Sequence, residues 1–203
     1  PRCQTSLSSH EVALGYEKIK EPAIYIKFPI LNPEFKNTSL LVWTTTPWTL
    51  PGNVAIAVNP NFVYVKVKTE AEFLILAKER MEPAGIKGKI VKKFKGKDLV
   101  GLRYQALYSI SEEVSKRAYK VIPADFVSLE EGTGLVHIAP AFGEEDMIAG
   151  KENNLPILLT VDEEGKFKLD VKKWAGLFVK EADPLIIEDL KKRNLLFKEE
   201  LYE

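Results

Sequence analysis

The stretch from Ser39 to Val58 constrains the fold more than any other, because two strand-like runs there are interrupted by Pro47 and by Pro51-Gly52. Ser39-Leu40-Leu41-Val42-Trp43 has the apolar, β-branched and aromatic bias of a strand, and Asn53-Val54-Ala55-Ile56-Ala57-Val58 reads as a second, largely buried one. Pro47 can continue neither a helix nor a central strand, so the chain must turn between them. That turn carries Thr44, Thr45, Thr46 and Thr49, with Trp43 and Trp48 on either side. Ordinary core logic wants apolar residues in such a place. A hydrogen-bonded turn is the plain alternative, since Thr, Pro, Gly and Asn are all turn formers. Trp48, held between two prolines, offers a large apolar face with a single donor, suited to gauging a small apolar group.

Short runs bounded by Pro, Gly and Asn recur along the chain. Strands are expected at Ala23–Phe28, Phe62–Val67, Glu72–Ala77, Ile90–Phe94, Ala118–Ile122 and Gly134–Ile138. Val54–Val58 and Phe62–Val67, separated by Asn59-Pro60, read as an antiparallel pair, and Pro156–Thr160 as a last inner strand. A helical turn is expected near Lys78–Met81 and a tight turn at Asp162–Gly165. Carboxylates early and a lysine late predict a short helix over Gly143–Lys151. Asp183-Pro184 has the form of a cap and first residue of a longer helix, with Leu185, Ile186, Leu190 and Leu195 on its buried side. The tail Leu196–Tyr202 returns as a strand, while Leu7–Ile19 shows no clear period and carries a candidate cap at Ser8-Ser9-His10-Glu11.

With 203 residues and 45% hydrophobic content the chain can bury a sizeable core. Its 29 basic and 29 acidic side chains cancel, so a nucleic-acid partner would have to be held locally. The Lys87–Lys97 run is a candidate for that, or else a solvated strand edge blunted by lysines. Cys3, the single cysteine, allows no internal disulfide and no multi-thiolate metal cage, and implies a reducing compartment. No run approaches the ~20 apolar residues that cross a bilayer. Pro1-Arg2-Cys3 reads as the start of a piece of a longer chain.

Absences narrow the chemistry. The sequence has no glycine-rich phosphate loop, no Gly-x-Ser-x-Gly elbow and, with only His10 and His137, no histidine-based metal site. Glu131-Gly132-Thr133-Gly134 has no second copy, which excludes an aspartic-protease dyad. What remains is the segment Gly132–Asp146, in which His137 ends a strand and Asp146 lies one turn into the helix that follows. Both can face the mouth of one sheet. A core histidine and a solvated helix-start acid are the structural alternatives.

Trp43-Thr44-Thr45-Thr46-Pro47-Trp48-Thr49-Leu50-Pro51-Gly52-Asn53 together with Gly132-Thr133-Gly134-Leu135-Val136-His137-Ile138-Ala139-Pro140, Gly143 and Asp146 closely resembles the editing (CP1) insertion of isoleucyl-tRNA synthetases. The resemblance covers the chain, including Cys3–Ser8 and Trp174–Val179. Valyl and leucyl relatives carry Arg at the place of Thr46 and an acid at the place of Trp48. His-x-Gly-His and Lys-Met-Ser-Lys-Ser are missing, so the chain is expected not to make aminoacyl-adenylate. The resemblance implies an α+β fold with a β-barrel-like core of mostly antiparallel strands and a few short surface helices. It implies one domain over 1–203, with 1–20 and 195–203 as ribbons to a synthetic domain.

The implied activity is hydrolysis of valine mischarged on tRNA(Ile), with valyl-adenylate as a second candidate substrate, in the cytoplasm, without a cofactor or metal and without a membrane partner. Non-catalytic tRNA binding, or editing by a valyl-tRNA synthetase, are the alternatives. One methylene in an apolar pocket discriminates only ~10–200-fold, isoleucine against valine being itself the standard worked case, so a second site must reject by size. By resemblance Thr45, Thr46 and Asp146 are the catalytic candidates. Thr44, Trp48, Thr49, Asn53, His137 and Asp146 are the candidates for binding substrate, with Trp48 and His137 as walls and Asp146 on the α-ammonium.

Overall fold

The computed structural model describes residues 20–202. The expectations for Cys3, His10, Leu7–Ile19 and the ribbon before residue 20 lie outside the described residues. Nine strands form two sheets among the described residues. The larger contains β1 (Glu21–Pro29), β2 (Thr38–Thr44), β4 (Val63–Lys68), β5 (Phe73–Ala77), β6 (Lys89–Lys95) and β9 (Leu196–Tyr202), in the order β6-β4-β5-β2-β1-β9. The smaller places β3 (Ala55–Val58) between β7 (Lys120–Pro123) and β8 (Leu135–Ile138). Pairing is antiparallel except for β2 with β5 and β3 with β7. The expected α+β, mostly antiparallel architecture is found. Its barrel-like core consists of two open sheets packed together, with no closed barrel among the described residues.

Apolar continuity explains which strands lie inside. Leu40, Leu41 and Val42 are consecutive and all fully buried, as are Ala55, Ile56, Ala57 and Val58. Runs of this kind need cover on both faces, and they form β2 in the middle of the large sheet and β3 in the middle of the small one. At the large sheet's edge β6 keeps Lys89, Lys92, Lys93 and Lys95 exposed, the pattern of an edge strand defended by charge. Four short helices complete the chain among the described residues: α1 (Gly96–Leu99), α2 (Glu112–Arg117), α3 (Glu144–Glu152) and α4 (Val179–Lys192).

Three sequence expectations are corrected. Val54–Val58 and Phe62–Val67 do not pair, because β3 has both edges filled by β7 and β8 while β4 joins the other sheet. Pro156–Thr160 buries Leu158 and Thr160 and exposes Ile157 and Leu159 in strand-like alternation, but it joins no ladder among the described residues, and its Thr160 carbonyl instead accepts from the Lys168 amide (2.9 Å). The long helix starts five residues before Pro184, at Val179, so Asp183 is not its cap. Val179, Ala182, Ile186 and Leu190 supply its buried stripe, and Leu185 is exposed. Burying Val179 and Ala182 outweighs the single helical hydrogen bond that Pro184 forfeits.

The two sheets meet through backbone as well as side chains. The Ala77 amide donates to the Thr133 carbonyl (2.9 Å), and the Tyr64 hydroxyl to that of Gly134 (2.8 Å). Gly134 has φ +73°, and a Cβ there would stand 2.4 Å from that of Ala77, so both conformation and space demand glycine. Gly134→Ala is therefore expected to lower stability by ~2–3 kcal/mol, read from the urea midpoint, because strain and overpacking act together. A midpoint equal to the parent's would show that the two sheets do not depend on this approach.

Candidate active site

Strand β2 delivers Thr44 to the seam between the sheets, and the chain then enters a 3₁₀ turn, Pro47–Gly52, with Thr46 at its cap position. The hydroxyls there form a relay. The Thr46 amide donates to Thr44 Oγ1 (3.1 Å), Thr44 Oγ1 lies 3.3 Å from Thr46 Oγ1, and Thr46 Oγ1 3.3 Å from Thr49 Oγ1. Thr49 has one hydroxyl proton, and it goes to the Thr46 carbonyl at 2.8 Å. Toward His137 Nε2, 2.9 Å away, the Thr49 oxygen therefore accepts, which makes His137 the Nε2–H tautomer. Burial agrees, holding the imidazole's pKa down at about 4, so the ring is neutral at pH 7. Thr46 in turn donates to Thr49, and its oxygen keeps accepting capacity. The Thr45 hydroxyl makes no hydrogen bond among the described residues.

These groups border a cavity of about 410 Å³, within the usual ~300–1,000 Å³ of small-molecule sites. Trp43, Thr44, Thr45 and Thr46 form one wall, and the chain from Glu130 to His137 the opposite one. Gly132, at φ +61°, lets that second wall pass the Trp43 ring, where a Cβ would come within 3.1 Å of the indole. Arg80 fixes the wall by donating to the carbonyls of Gly132 (2.9 Å), Glu130 (2.9 Å) and Leu129 (3.2 Å).

Asp146 closes the floor from the first turn of α3. Its Oδ2 accepts from the Ala139 amide at 2.8 Å, while Oδ1 has no partner among the described residues. Burial raises its pKa, the Ala139 bond acts against that, and Glu145 adds to the rise. Glu130, Glu131 and Glu145 share the lining, so the cavity attracts a cation and repels a carboxylate.

Of the residues singled out in the sequence, Thr44, Thr45, Thr46, His137 and Asp146 line this cavity, and Thr49 stands one hydrogen bond behind it. Trp48 and Asn53 do not reach it. The Trp48 ring packs edge-on against Phe142 at 5.1 Å, and Trp43 is the indole in the wall. Asn53 is a structural lock, accepting from the Tyr104 hydroxyl (2.8 Å) and donating to the Ala55 carbonyl (2.9 Å). Sequence reasoning missed Arg80, whose partners lie about fifty positions away in the chain. It also misread Asp183, whose Oδ1 accepts from the Trp48 amide at 2.8 Å.

No protein-family model matches the chain. In sequence it is similar to the isoleucine–tRNA ligases of Clostridium novyi (49% identity over 204 residues, 100% of this chain) and Thermus thermophilus (48% over 206 residues, 100% of this chain). The ligase of Pyrococcus horikoshii is 47% identical over 215 residues, 98% of this chain. The chain spans about a fifth of the length of these curated relatives, 19% or 20%. In fold it is similar to the crystal structure of GlLeuRS-CP1, with a TM-score of 0.69, 15% identity, and coverage of 90% of this chain and 99% of that one. The cytosolic leucyl-tRNA synthetase editing domain of P. knowlesi gives 0.64 at 14% identity, over 93% and 98% of the two chains.

The depressed His137 pKa sets a direction for acid stability. The unfolded chain takes up a proton near 6.5 and the folded one only near 4, so stability present above pH 6.5 is lost as pH falls through that window. The loss is on the order of 3 kcal/mol by pH 4. Asp183, raised to about 6 by burial, works with the opposite sign, so the comparison belongs to a His137→Gln variant, which leaves Asp183 in place. Urea titrations at pH 7 and pH 4.5 should show a smaller acid loss in that variant than in the parent.

Proposed function

Because the chain belongs, as a segment, to the isoleucine–tRNA ligase family and has the fold of the synthetase editing insertion, we propose that its cavity hydrolyses valine wrongly esterified to the 3′-terminal adenosine of tRNA(Ile) and spares isoleucine. The observation that carries this reading is one cavity bordered by a half-buried carboxylate with a spare oxygen, a neutral imidazole and a row of threonine hydroxyls.

In this reading Asp146 Oδ1 receives the α-ammonium in a charge-assisted bond, which an acylated amine cannot make. The aliphatic side chain rests between Trp43 and His137, with Trp43 in the place that the sequence had suggested for Trp48. Because the His137 Nε2 proton is committed to Thr49, the ring is a rigid wall. The one methylene that isoleucine adds, pressed against such a wall, costs ~1–3 kcal/mol.

Hydrolysis adds a water oxygen to the ester carbonyl carbon and breaks its bond to the ribose 3′-oxygen, which leaves with a proton. Thr45, with an unassigned hydroxyl proton, donates to the developing oxyanion, and the Thr46 oxygen accepts from the attacking water. A threonine is too weak a base to ionise that water. In this reading the ribose hydroxyl next to the ester passes the proton to the leaving oxygen, and the protein's contribution is position and field. Valyl-adenylate, whose reacting carbonyl also follows an α-ammonium, is the second substrate of this reading, with a phosphate oxygen as the leaving group.

The deciding measurement is hydrolysis of Val-tRNA(Ile) and Ile-tRNA(Ile) side by side. Asp146→Ala is expected to cut kcat/KM on the valyl ester ~30–1,000-fold, the equivalent of losing about 2–4 kcal/mol in one buried charge-assisted bond. His137→Ala is expected to raise the rate on the isoleucyl ester relative to the valyl one by ~5–150-fold. An Asp146→Ala protein that deacylates at the parental rate would remove the ammonium anchor.

A further inference from the structure

Asp183 stands on α4, contacts the threonine turn without lining the cavity, and has a side chain only 7% exposed. A carboxylate in that setting is costly. Its compensation is meagre: the Trp48 amide at 2.8 Å on Oδ1, and the Lys180 ammonium at 3.9 Å from Oδ2. Burial accordingly pushes its pKa up. Stability alone would be better served by an amide or an apolar residue here, so the carboxylate calls for another explanation.

The turn it contacts has an unusual cap. A threonine at a cap position ordinarily turns its hydroxyl back to accept the second or third amide of the turn, with its own backbone extended. Thr46 does not. It has φ −125° and ψ 72°, makes no side-chain cap bond, and places its hydroxyl between those of Thr44 and Thr49. Pro47 has no amide proton, so the first donor of the turn is the Trp48 amide, and Asp183 takes it from across the fold. One carboxylate thereby does the capping that the local threonine would otherwise do.

We propose that Asp183 is a positioning residue for ester hydrolysis: by capping Trp48 in place of Thr46, it keeps the Thr46 hydroxyl in the cavity. This rests on the deacylase reading above. Remove Asp183 and the Trp48 amide is left without a partner, whose nearest replacement is the Thr46 hydroxyl. The hydroxyl then leaves the relay, and the attacking water loses its acceptor while the Asp146 anchor and the side-chain wall stay as they were.

The test compares Asp183→Ala, Asp183→Leu and Asp183→Asn in the full-length protein, each alone and with Thr46→Ala, using Val-tRNA(Ile). Asp183→Leu keeps the volume without an acceptor, should alanine leave the site unfolded. Expected is a fall in kcat of ~10-fold or more for Ala and Leu with KM within ~2-fold, since the lost interaction acts on the reacting water. Asp183→Asn, which still offers an oxygen to the amide, should restore most of it. In the Thr46→Ala background the Asp183 substitutions should add less than ~2-fold, because the hydroxyl they would misplace is already gone. Equal losses in both backgrounds, or no rescue by asparagine, would overturn the proposal. A parent protein that leaves Val-tRNA(Ile) intact would instead overturn the deacylase reading. Independently of activity, a crystal structure of Asp183→Leu with Thr46 Oγ1 on the Trp48 amide supports the proposal, and one with the relay unchanged overturns it.

Discussion

Burying a hydroxyl-rich turn against an apolar core is possible only if nearly every polar proton in it has somewhere to go, and much of this molecule is arranged around that accounting. Thr44 receives the Thr46 amide, Thr49 gives its proton to the Thr46 carbonyl, and His137 gives one to Thr49. The amide that no threonine takes is satisfied from α4 by Asp183. An unpaired donor here would cost about 1–3 kcal/mol, comparable with any single core contact. Two threonine oxygens and one threonine proton are left over, and they are the ones presented to the cavity.

The same accounting separates roles that a motif alone runs together. His137 looks like a general base on paper, but burial holds its pKa at about 4, which makes it a weak one, and its Nε2 proton is committed to Thr49. Asp146 looks like an ordinary acid at a helix start, yet it braces the end of β8 through the Ala139 amide and keeps one oxygen for a cation. Work is divided between them by environment. The wall that carries His137 is set by glycine where a side chain would collide with Trp43 and by Arg80 through three backbone carbonyls.

Several strands were legible because their sequences report their surroundings directly. Ser39–Trp43 read as a strand and Asn53–Val58 as a largely buried one, and Leu40–Val42 and Ala55–Val58 are fully buried. The Lys87–Lys97 run read either as a local nucleic-acid patch or as a strand edge blunted by lysines, and its strand β6 lies on an edge. Pairing was less legible: the short Asn59-Pro60 link suggested a hairpin, but a connection between two sheets needs the same kind of turn. Pro156–Thr160 had strand-like alternation, yet its Thr160 carbonyl takes the Lys168 amide and no ladder forms among the described residues. Asp183-Pro184 had the composition of a helix start, yet Val179 and Ala182 extended the helix because they could be buried.

The sequence by itself determined where the proline-bounded turn falls and which runs go inside, which follow from local backbone restriction and apolar burial acting over a few residues. That Thr44, Thr45, Thr46, His137 and Asp146 belong to one site was implied by the resemblance to the synthetase editing insertion, and they line one cavity. Only the tertiary structure decided which tryptophan faces the cavity, that Asn53 locks Tyr104, that Arg80 holds the far wall and that Asp183 caps the turn. Those contacts join residues about fifty or more positions apart, and donor–acceptor pairing at such separations depends on how the sheets and α4 pack, which no short stretch of sequence encodes.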